Sequence, residues 1–135
     1  MNRSSETFLK TERLCSTKII RELFESGYSF YTPLFRVVWE KSPVTLPFPA
    51  QVAFSVSKKA FRLAVTRNLL KRRMRESYRK LKNDLYHYLL AENTQLVLII
   101  IFRGSKIADY NVVEKSMKDV ITLLVSSIKD KDQKC

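Results

Sequence analysis

The feature that most restricts the fold of this chain is an unbroken apolar run, Leu96–Phe102. Its residues show no alternation with polar ones, and the run is far too short to be a membrane-spanning helix. A β-strand of this kind is covered on both faces, because neither of its two sets of alternating side chains is polar. We therefore predict a central strand over residues 95–102, with a covering layer on each face of its sheet.

Periodicities in the rest of the chain predict the other elements. Apolar spacings of three and four predict a helix that starts at Ser16 or Thr17 and ends at Gly27, followed later by helices over about 64–90 and 110–128. Aromatic and β-branched residues predict a strand or hairpin pair over 28–41, interrupted at Pro33, and a strand over 51–56. A proline-rich loop over 42–49 separates them.

These elements give the order α-β-β-β-α-β-α, which is typical of a single α+β domain. The length of 135 residues also fits one domain, 1–135. We expect an ordered core over about 10–128, a flexible N-terminal arm over 1–10 and a flexible C-terminal tail over 129–135.

The positive charge of the chain is concentrated in one window. Of its 25 Lys and Arg residues, eleven lie between Lys58 and Lys82, where Glu76 is the only acid. This window therefore holds nearly all of the formal net charge of +12. So many positive charges repel one another in a compact domain. The excess therefore indicates a polyanionic partner, either nucleic acid or an anionic membrane surface.

Helical geometry gives the basic window two sides. A turn of about 100° per residue separates an apolar stripe from a cationic stripe made of Lys71, Arg75, Arg79 and Lys82. The apolar stripe comprises Leu70, Met74, Tyr78, Leu81, Leu85 and Tyr88. A membrane-surface helix needs bulky apolar residues that are free to enter lipid, whereas this stripe is expected to pack in the core. Nucleic acid is therefore the predicted partner, and a merely solvated basic face is the plain alternative.

The sequence offers little for catalysis or metal binding. His87 is the one histidine, Cys15 and Cys135 lie far apart, and acids such as Asp84 and Asp109 are scattered. These residues give neither a disulfide framework nor zinc-ligand spacing. We predict no catalytic residue, no metal site and no small-molecule substrate. The polar start of the sequence has no apolar signal segment, so we expect a cytoplasmic location and no membrane partner.

The strand-to-helix segment resembles the bacterial ribonuclease P protein subunit over roughly residues 10–128. In that family a strand ends in a Lys-Lys pair, here Lys58-Lys59, and a short loop leads to a helix that opens with Ala-x-x-Arg-Asn-Arg-x-Lys-Arg-x-x-Arg-Glu. Six helix positions match: Arg67, Asn68, Lys71, Arg72, Arg75 and Glu76. The third motif residue, usually Arg, is Leu69 here, which either is buried or costs one RNA contact.

The resemblance implies a fold and a role. The family fold is an α/β sandwich of the ribosomal protein S5 domain 2-like type, with a four-stranded sheet and a left-handed βαβ crossover, although such crossovers are right-handed as a rule. Ribonuclease P removes the 5′ leader of precursor tRNA, and its RNA subunit, with bound Mg²⁺, carries the catalysis. This chain would be the accessory protein, with RNase P RNA and the precursor tRNA leader as partners and no cofactor of its own.

The resemblance also implies two groups of site residues. The surface for the catalytic RNA would comprise Lys58, Lys59, Arg62, Arg67, Asn68, Lys71, Arg72, Arg75 and Arg79. Asn68 would equally brace the start of the helix. A leader cleft between the first helix and the sheet would comprise Ile20, Phe24 and Trp39, with Trp39 as the platform for base stacking. A place in the hydrophobic core is the alternative for Phe24 and Trp39.

Two other functions stay open at the level of sequence. A generic RNA- or ribosome-binding α/β protein would share the basic helix, but it would not need the strand-to-helix motif. An autonomous nuclease would need clustered acids or histidines, which the sequence lacks.

Overall fold

The computed structural model describes residues 8–133. Its elements are α1 Thr17–Ser26, β1 Tyr28–Tyr31, β2 Phe35–Lys41, β3 Ala50–Val56, α2 Ala64–Ala91, β4 Leu96–Phe102 and α3 Tyr110–Gln133, preceded by one 3-10 turn, Lys10–Glu12. The predicted element order is therefore confirmed. No helix within the described range is long and apolar enough to cross a membrane.

The four strands form one mixed sheet in the order β1-β2-β4-β3. β1 and β4 are both antiparallel to β2, whereas β3 and β4 are parallel and are joined through α2. The apolar strand β4 lies between β2 and β3, as its composition predicts. The left-handed sense of the β3-α2-β4 crossover stays a prediction.

Each face of the sheet has its own hydrophobic core. Leu98 and Ile100 of β4 pack with the buried sides of α2 and α3, while Val97 and Ile99 pack with Leu23 of α1. Residues of β4 therefore alternate between two cores, which is why the strand has no polar face. The molecule has three layers, with α1 on one side of the sheet and the pair α2 and α3 on the other.

Both ends of the short helix α1 are fixed by local contacts. The Ser16 hydroxyl caps the start by accepting a hydrogen bond from Ile19 N at 3.3 Å. Gly27 takes the predicted C-cap position, but its φ of −72° is ordinary extended backbone. Space rather than conformation requires glycine, because an added Cβ would lie 2.6 Å from the Leu23 carbonyl oxygen and 3.0 Å from Val38 Cγ1.

The segment before α1 packs against β3 and α2, with Leu14 N donating to the Val52 carbonyl oxygen at 3.0 Å, so the prediction of a loose arm up to residue 10 is wrong at its end. The Phe8 ring lies 5.8 Å from the ring of Tyr78 and 5.9 Å from that of Phe54. At the other terminus α3 continues to Gln133, so the predicted tail does not begin at 129. Residues 1–7 and 134–135 of the predicted flexible segments lie outside the described residues.

Candidate nucleic-acid interface

The apolar side of α2 is fully used by the protein core. Leu70, Met74, Tyr78, Leu85 and Leu89 are all buried in the core shared by α2, α3 and the sheet. Leu89 replaces the predicted Tyr88, which is only partly buried, as is Leu81. An anionic membrane partner would need these side chains for insertion, so their burial argues against that alternative.

Three arginines from two separate segments are close enough for their charges to interact. Partial burial, followed by the charges of Arg13 and Arg72, lowers the pKa of the Arg75 guanidinium. Within the described part of the chain, none of the three side chains has a hydrogen-bond or ion-pair partner. We call Arg13, Arg72 and Arg75 the guanidinium cluster. Like charges held together without an acid are a ready site for a polyanion.

Further cations extend this surface towards the start of α2. Lys58 and Lys59 are exposed in the turn that follows β3, where the Ser57 hydroxyl accepts hydrogen bonds from the backbone of Lys59 and Ala60. Arg62 is exposed beside the turn, and Lys71 is partly exposed on α2. Among the described residues, none of these four cations forms an ion pair with an acid. These four cations therefore keep their charge uncompensated, and their part in one surface with the guanidinium cluster stays a prediction.

Two uncharged motif positions also lie on α2. Asn68 is exposed, and within the described range no hydrogen bond to its side chain is found. The N-cap of α2 is Leu63, so Asn68 does not cap the helix. Leu69 is partly buried and brings no charge to the surface.

Other basic side chains of α2 are engaged by the protein itself. Arg67 Nη1 donates to the carbonyl oxygens of Phe61 and Arg62 at 2.8 and 2.9 Å, which closes the loop between β3 and α2. Arg79 forms a two-point ion pair with Glu76, with Nη2 to Oε1 at 2.6 Å and Nε to Oε2 at 3.0 Å. Part of the hydrogen-bonding capacity of both arginines is therefore spent inside the protein.

Lys82 is not part of the cationic surface, although helical periodicity predicts it in the cationic stripe. Its side chain is buried and its Nζ donates to Glu12 Oε1 at 2.5 Å. Tyr86 donates its hydroxyl to the same oxygen, and Leu9 N donates to Glu12 Oε2 at 2.8 Å. Burial, followed by the neighbouring Tyr78 and Glu12, raises the pKa of Tyr86, which keeps this donor protonated. The N-terminal segment thus removes one cation from the stripe. Its position could not be predicted from the periodicity of the sequence.

The leader cleft differs from its prediction at Trp39. The indole is only 2% exposed and lies in the core on the α2 and α3 face, 5.0 Å from the ring of Tyr28. β2 alternates its side chains, so the residue beside Trp39 on the α1 face is Val38. Trp39 cannot stack on a base, and its prediction as a platform is wrong because the face was assigned without knowing which side α1 covers.

Phe24 and Ile20 lie on the α1 side of the sheet, as the predicted cleft requires. Phe24 is half exposed, and the guanidinium carbon of Arg36 lies 5.9 Å from its ring centroid. Ile20 is partly buried against the smaller core. Their part in binding RNA stays a prediction.

A row of side chains crosses the sheet on this face. The register pairs Tyr31 with Arg36, Arg36 with Ile101, and Ile101 with Ser55, one from each strand. Neighbouring strands lie about 4.8 Å apart, so the row spans the sheet from β1 to β3. β3 ends one residue after Ser55 and leads into the turn with Lys58 and Lys59. We call this row, with Phe24 and Ile20 beside it, the cleft.

Two cations of this site, Arg13 and Arg36, are absent from the sequence-based set. Arg13 lies outside the helical stripe and reaches it only through the packing of the N-terminal segment. Arg36 alternates with buried Phe35 and Val37, and this period of two was the available signal that its side chain leaves the main core. Across residues 8–133, no three His, Cys, Asp or Glu side chains group as metal ligands do.

Comparison with known proteins agrees with this geometry. The family profile described as Ribonuclease P matches residues 8–125. The chain belongs to the ribonuclease P protein family. It is thus related to the protein component of a tRNA-processing ribonuclease, and the alternative of a generic RNA- or ribosome-binding protein with no processing role is displaced.

Individual members of the ribonuclease P family show the extent of the likeness. The ribonuclease P protein component of Porphyromonas gingivalis is 29% identical over 119 residues, which cover 88% of this chain and 87% of that protein. That of Chlorobium phaeobacteroides is 44% identical over 80 residues, or 57% and 55% of the two chains.

Solved structures of ribonuclease P proteins share the fold. That of Staphylococcus aureus superposes with a TM-score of 0.65 at 21% identity and covers 84% of this chain and 94% of its own. That of Thermotoga maritima gives 0.61 at 21% identity, with 81% and 94% covered. The predicted α/β sandwich is therefore the family's fold.

Proposed function

We propose that this protein binds the catalytic RNA of ribonuclease P through the guanidinium cluster and the cations that continue it to the Lys58–Lys59 turn. The observation that carries this proposal is the meeting of Arg13, Arg72 and Arg75 without an acidic partner among the described residues. Their mutual repulsion opposes folding unless an anion offsets it. Arginine is suited to this task because its planar fork binds two phosphate oxygens at once.

A folded RNA is a better match to this surface than a single strand. Two of the three arginines lie on the helix α2, and the aromatic contact found for the cluster among the described residues is that of Arg13 with the partly buried ring of Phe8, at 5.7 Å. Proteins recognise structured RNA mainly through phosphates, riboses and shape, for which fixed cations are sufficient. Each phosphate that is neutralised releases counterion, so the affinity falls steeply with salt.

The 5′ leader of precursor tRNA, we further propose, occupies the cleft beside α1. A single strand is held by cations together with aromatic faces. The cleft offers the half-exposed Phe24 ring and the Arg36 guanidinium at one end and the Lys58–Lys59 turn at the other. The cleft and the guanidinium cluster would then hold substrate and catalytic RNA in one complex.

Hydrolysis of the phosphodiester bond belongs, in this proposal, to the RNA subunit and its bound Mg²⁺. The protein contributes positive charge that offsets the repulsion between the catalytic RNA and its substrate. It supplies no catalytic residue, no cofactor and no small-molecule site, and its expected location is the cytoplasm.

The double variant Arg72→Glu with Arg75→Glu tests the RNA-binding surface. We expect a loss of roughly a hundredfold or more in affinity for a bacterial RNase P RNA, because two phosphate contacts become repulsive. The matched control is Lys115→Glu with Lys118→Glu, which makes the same charge change on exposed positions of α3. Equal losses in both variants would show a net-charge effect only, and an unchanged affinity of the first would disprove the assignment.

A cleavage assay tests the division of labour. Precursor tRNA should be cut by the RNA with or without protein at high Mg²⁺, and only with protein at low Mg²⁺. Cleavage by the protein in the absence of RNA would overturn the proposal that the protein has no catalytic residue.

A further inference from the structure

A chain of alternating cations and aromatic rings runs from Phe24 to the β1 end of the cleft and on to Arg103. The Arg36 guanidinium carbon lies 5.9 Å from the ring of Phe24 and 6.0 Å from that of Tyr31. The guanidinium carbon of Arg103 lies 4.6 Å from the ring of Tyr31 as well. The order along the surface is therefore Phe24, Arg36, Tyr31, Arg103.

Arg36 has donors that the protein leaves without an acceptor. Its Nε is shielded from solvent and has no hydrogen-bond partner, and among the described residues no acid pairs with its guanidinium. A shielded donor without a partner is costly. The two aromatic faces do not supply that acceptor. The terminal nitrogens of Arg36 are not among the shielded atoms and have no acceptor among the described residues, so the geometry favours an external acceptor for them, such as a phosphate or a base carbonyl.

Tyr31 is exposed to solvent and is also in contact with cations of the protein. The residue is 57% exposed, and the guanidinium carbons of Arg103 and Arg36 lie 4.6 and 6.0 Å from its ring centroid. Arg103 is itself held, because its Nη1 donates to the carbonyl oxygen of Thr32 at 2.7 Å. Thr32 Oγ1 in turn accepts from Phe35 N at 3.0 Å, which closes the turn between β1 and β2. The ring is thus presented in place, with little side-chain freedom left to lose on binding.

We propose that Tyr31 is a second stacking position for the single-stranded leader, with Arg36 and Arg103 binding the phosphates on either side of the stacked nucleotide. This inference rests on the proposed function and extends it from the α1 side of the cleft to the β1 edge. Alternating aromatic faces and cations are the chemistry that binds single strands without sequence readout. Discrimination would therefore depend on the length of the leader rather than on its base sequence.

The test is binding of precursor tRNAs to the holoenzyme, with leaders shortened one nucleotide at a time. In the wild type the affinity should rise in a step when the leader becomes long enough to reach Tyr31. Tyr31→Ala should remove that step, a loss of about tenfold, whereas Tyr31→Phe keeps the ring and should retain it.

Tyr28→Ala is the matched control. Tyr28 lies on the same strand, is 45% exposed and has its own cation, Lys131, 4.1 Å from its ring, but it faces the α2 and α3 side of the sheet. Its replacement should leave the step intact. Binding of each variant to the catalytic RNA alone, together with its unfolding temperature, verifies that the protein is folded.

Four outcomes decide the inference. Loss of the step in Tyr31→Ala alone supports it. An unchanged step in that variant overturns the inference, while assembly with catalytic RNA and cleavage leave the proposed function in place. Equal weakening for all leaders, including a leaderless tRNA, would overturn it by assigning the ring to another contact. A wild type without any length-dependent step would instead disprove leader binding in the cleft, and this inference with it.

Discussion

Glu12 and Arg13 are neighbours in the segment before α1, yet they act on two cations of α2 in opposite ways. Glu12 covers Lys82 and forms a buried ion pair with it. Arg13 brings a further positive charge to Arg75, which lies two helical turns before Lys82 and thus on nearly the same side of the helix. One cation stabilises the fold, and the other has no acidic partner among the described residues.

The contrast shows how two basic residues at nearly the same helical phase acquire different structural settings. Periodicity places Arg75 and Lys82 in one stripe, because both positions turn to one side of α2. The segment that crosses this stripe decides which cation is covered and by which charge. The number of Lys and Arg residues on α2 therefore overstates the candidate RNA-binding surface. The cations that have no acidic partner within the described residues define that surface better.

The largest expected effect comes from breaking the buried pair. Lys82→Met leaves the Glu12 carboxylate buried beside Tyr86 without its cation, and we expect a loss of about 3–5 kcal/mol in the free energy of unfolding. Urea denaturation measures it. Arg75→Met changes a partly exposed residue of the guanidinium cluster, so it should alter the free energy of unfolding by only about 0.5 kcal/mol or less.

The paired replacement Glu12→Gln with Lys82→Met separates charge from packing. Because no charge is then left buried, most of the lost stability should return. If the double variant were as unstable as Lys82→Met, the ion pair would not be the source of the effect.

An intermediate effect is expected from reversing the charge at Arg13. Arg13→Glu supplies the guanidinium cluster with the acid that it lacks, so the free protein should be stabilised by roughly 0.2–1 kcal/mol, as for a partly exposed ion pair. The same change should weaken binding to the catalytic RNA by about tenfold and lower the salt slope by about one or more. Thermal unfolding and binding measured over a series of salt concentrations check the two parts.

The neutral variant Arg13→Gln refines that result. It removes one repulsive charge without adding an acid. Its gain in stability and its loss of affinity for the catalytic RNA should therefore both be smaller than those of Arg13→Glu. Tighter RNA binding in either variant would exclude Arg13 from the interface.

The fold was predictable because its determinants are local or compositional. The apolar run of β4 placed that strand at the centre, and the spacing of Leu70, Met74 and Tyr78 gave the buried side of α2. The path of residues 8–14 was not predictable in this way, since it depends on contacts such as Phe8 with Tyr78 and Glu12 with Lys82. These contacts join positions some seventy residues apart in sequence.

The candidate site was predictable in its centre and not at its borders. Arg72 and Arg75 follow from the helix period and the family motif together. Trp39 and Arg36 were harder, because alternation along β2 tells which residues share a face but not which face α1 covers. The assignment of Trp39 to the cleft was wrong for this reason, and Arg36, its neighbour by three positions, occupies that face instead.

The smallest expected effect concerns Arg79, which lies between the two parts of α2 that this contrast defines. Glu76→Gln removes its ion pair, in which the side chains are 28% and 44% exposed, so we expect a loss of only about 0.3–0.5 kcal/mol in stability. The hydrogen bond and charge of Arg79 lower the pKa of Glu76 in the folded protein. The unfolded chain then takes up the proton more readily, so the contribution is complete above the ordinary pKa of Glu and is lost as the pH falls through the lowered value. The stability gap between wild type and variant should accordingly close in acid.

At neutral pH, removing the competing carboxylate should strengthen binding to the catalytic RNA by about two- to threefold, because one more guanidinium can turn to phosphate. An unchanged affinity would assign Arg79 to the structural group with Lys82.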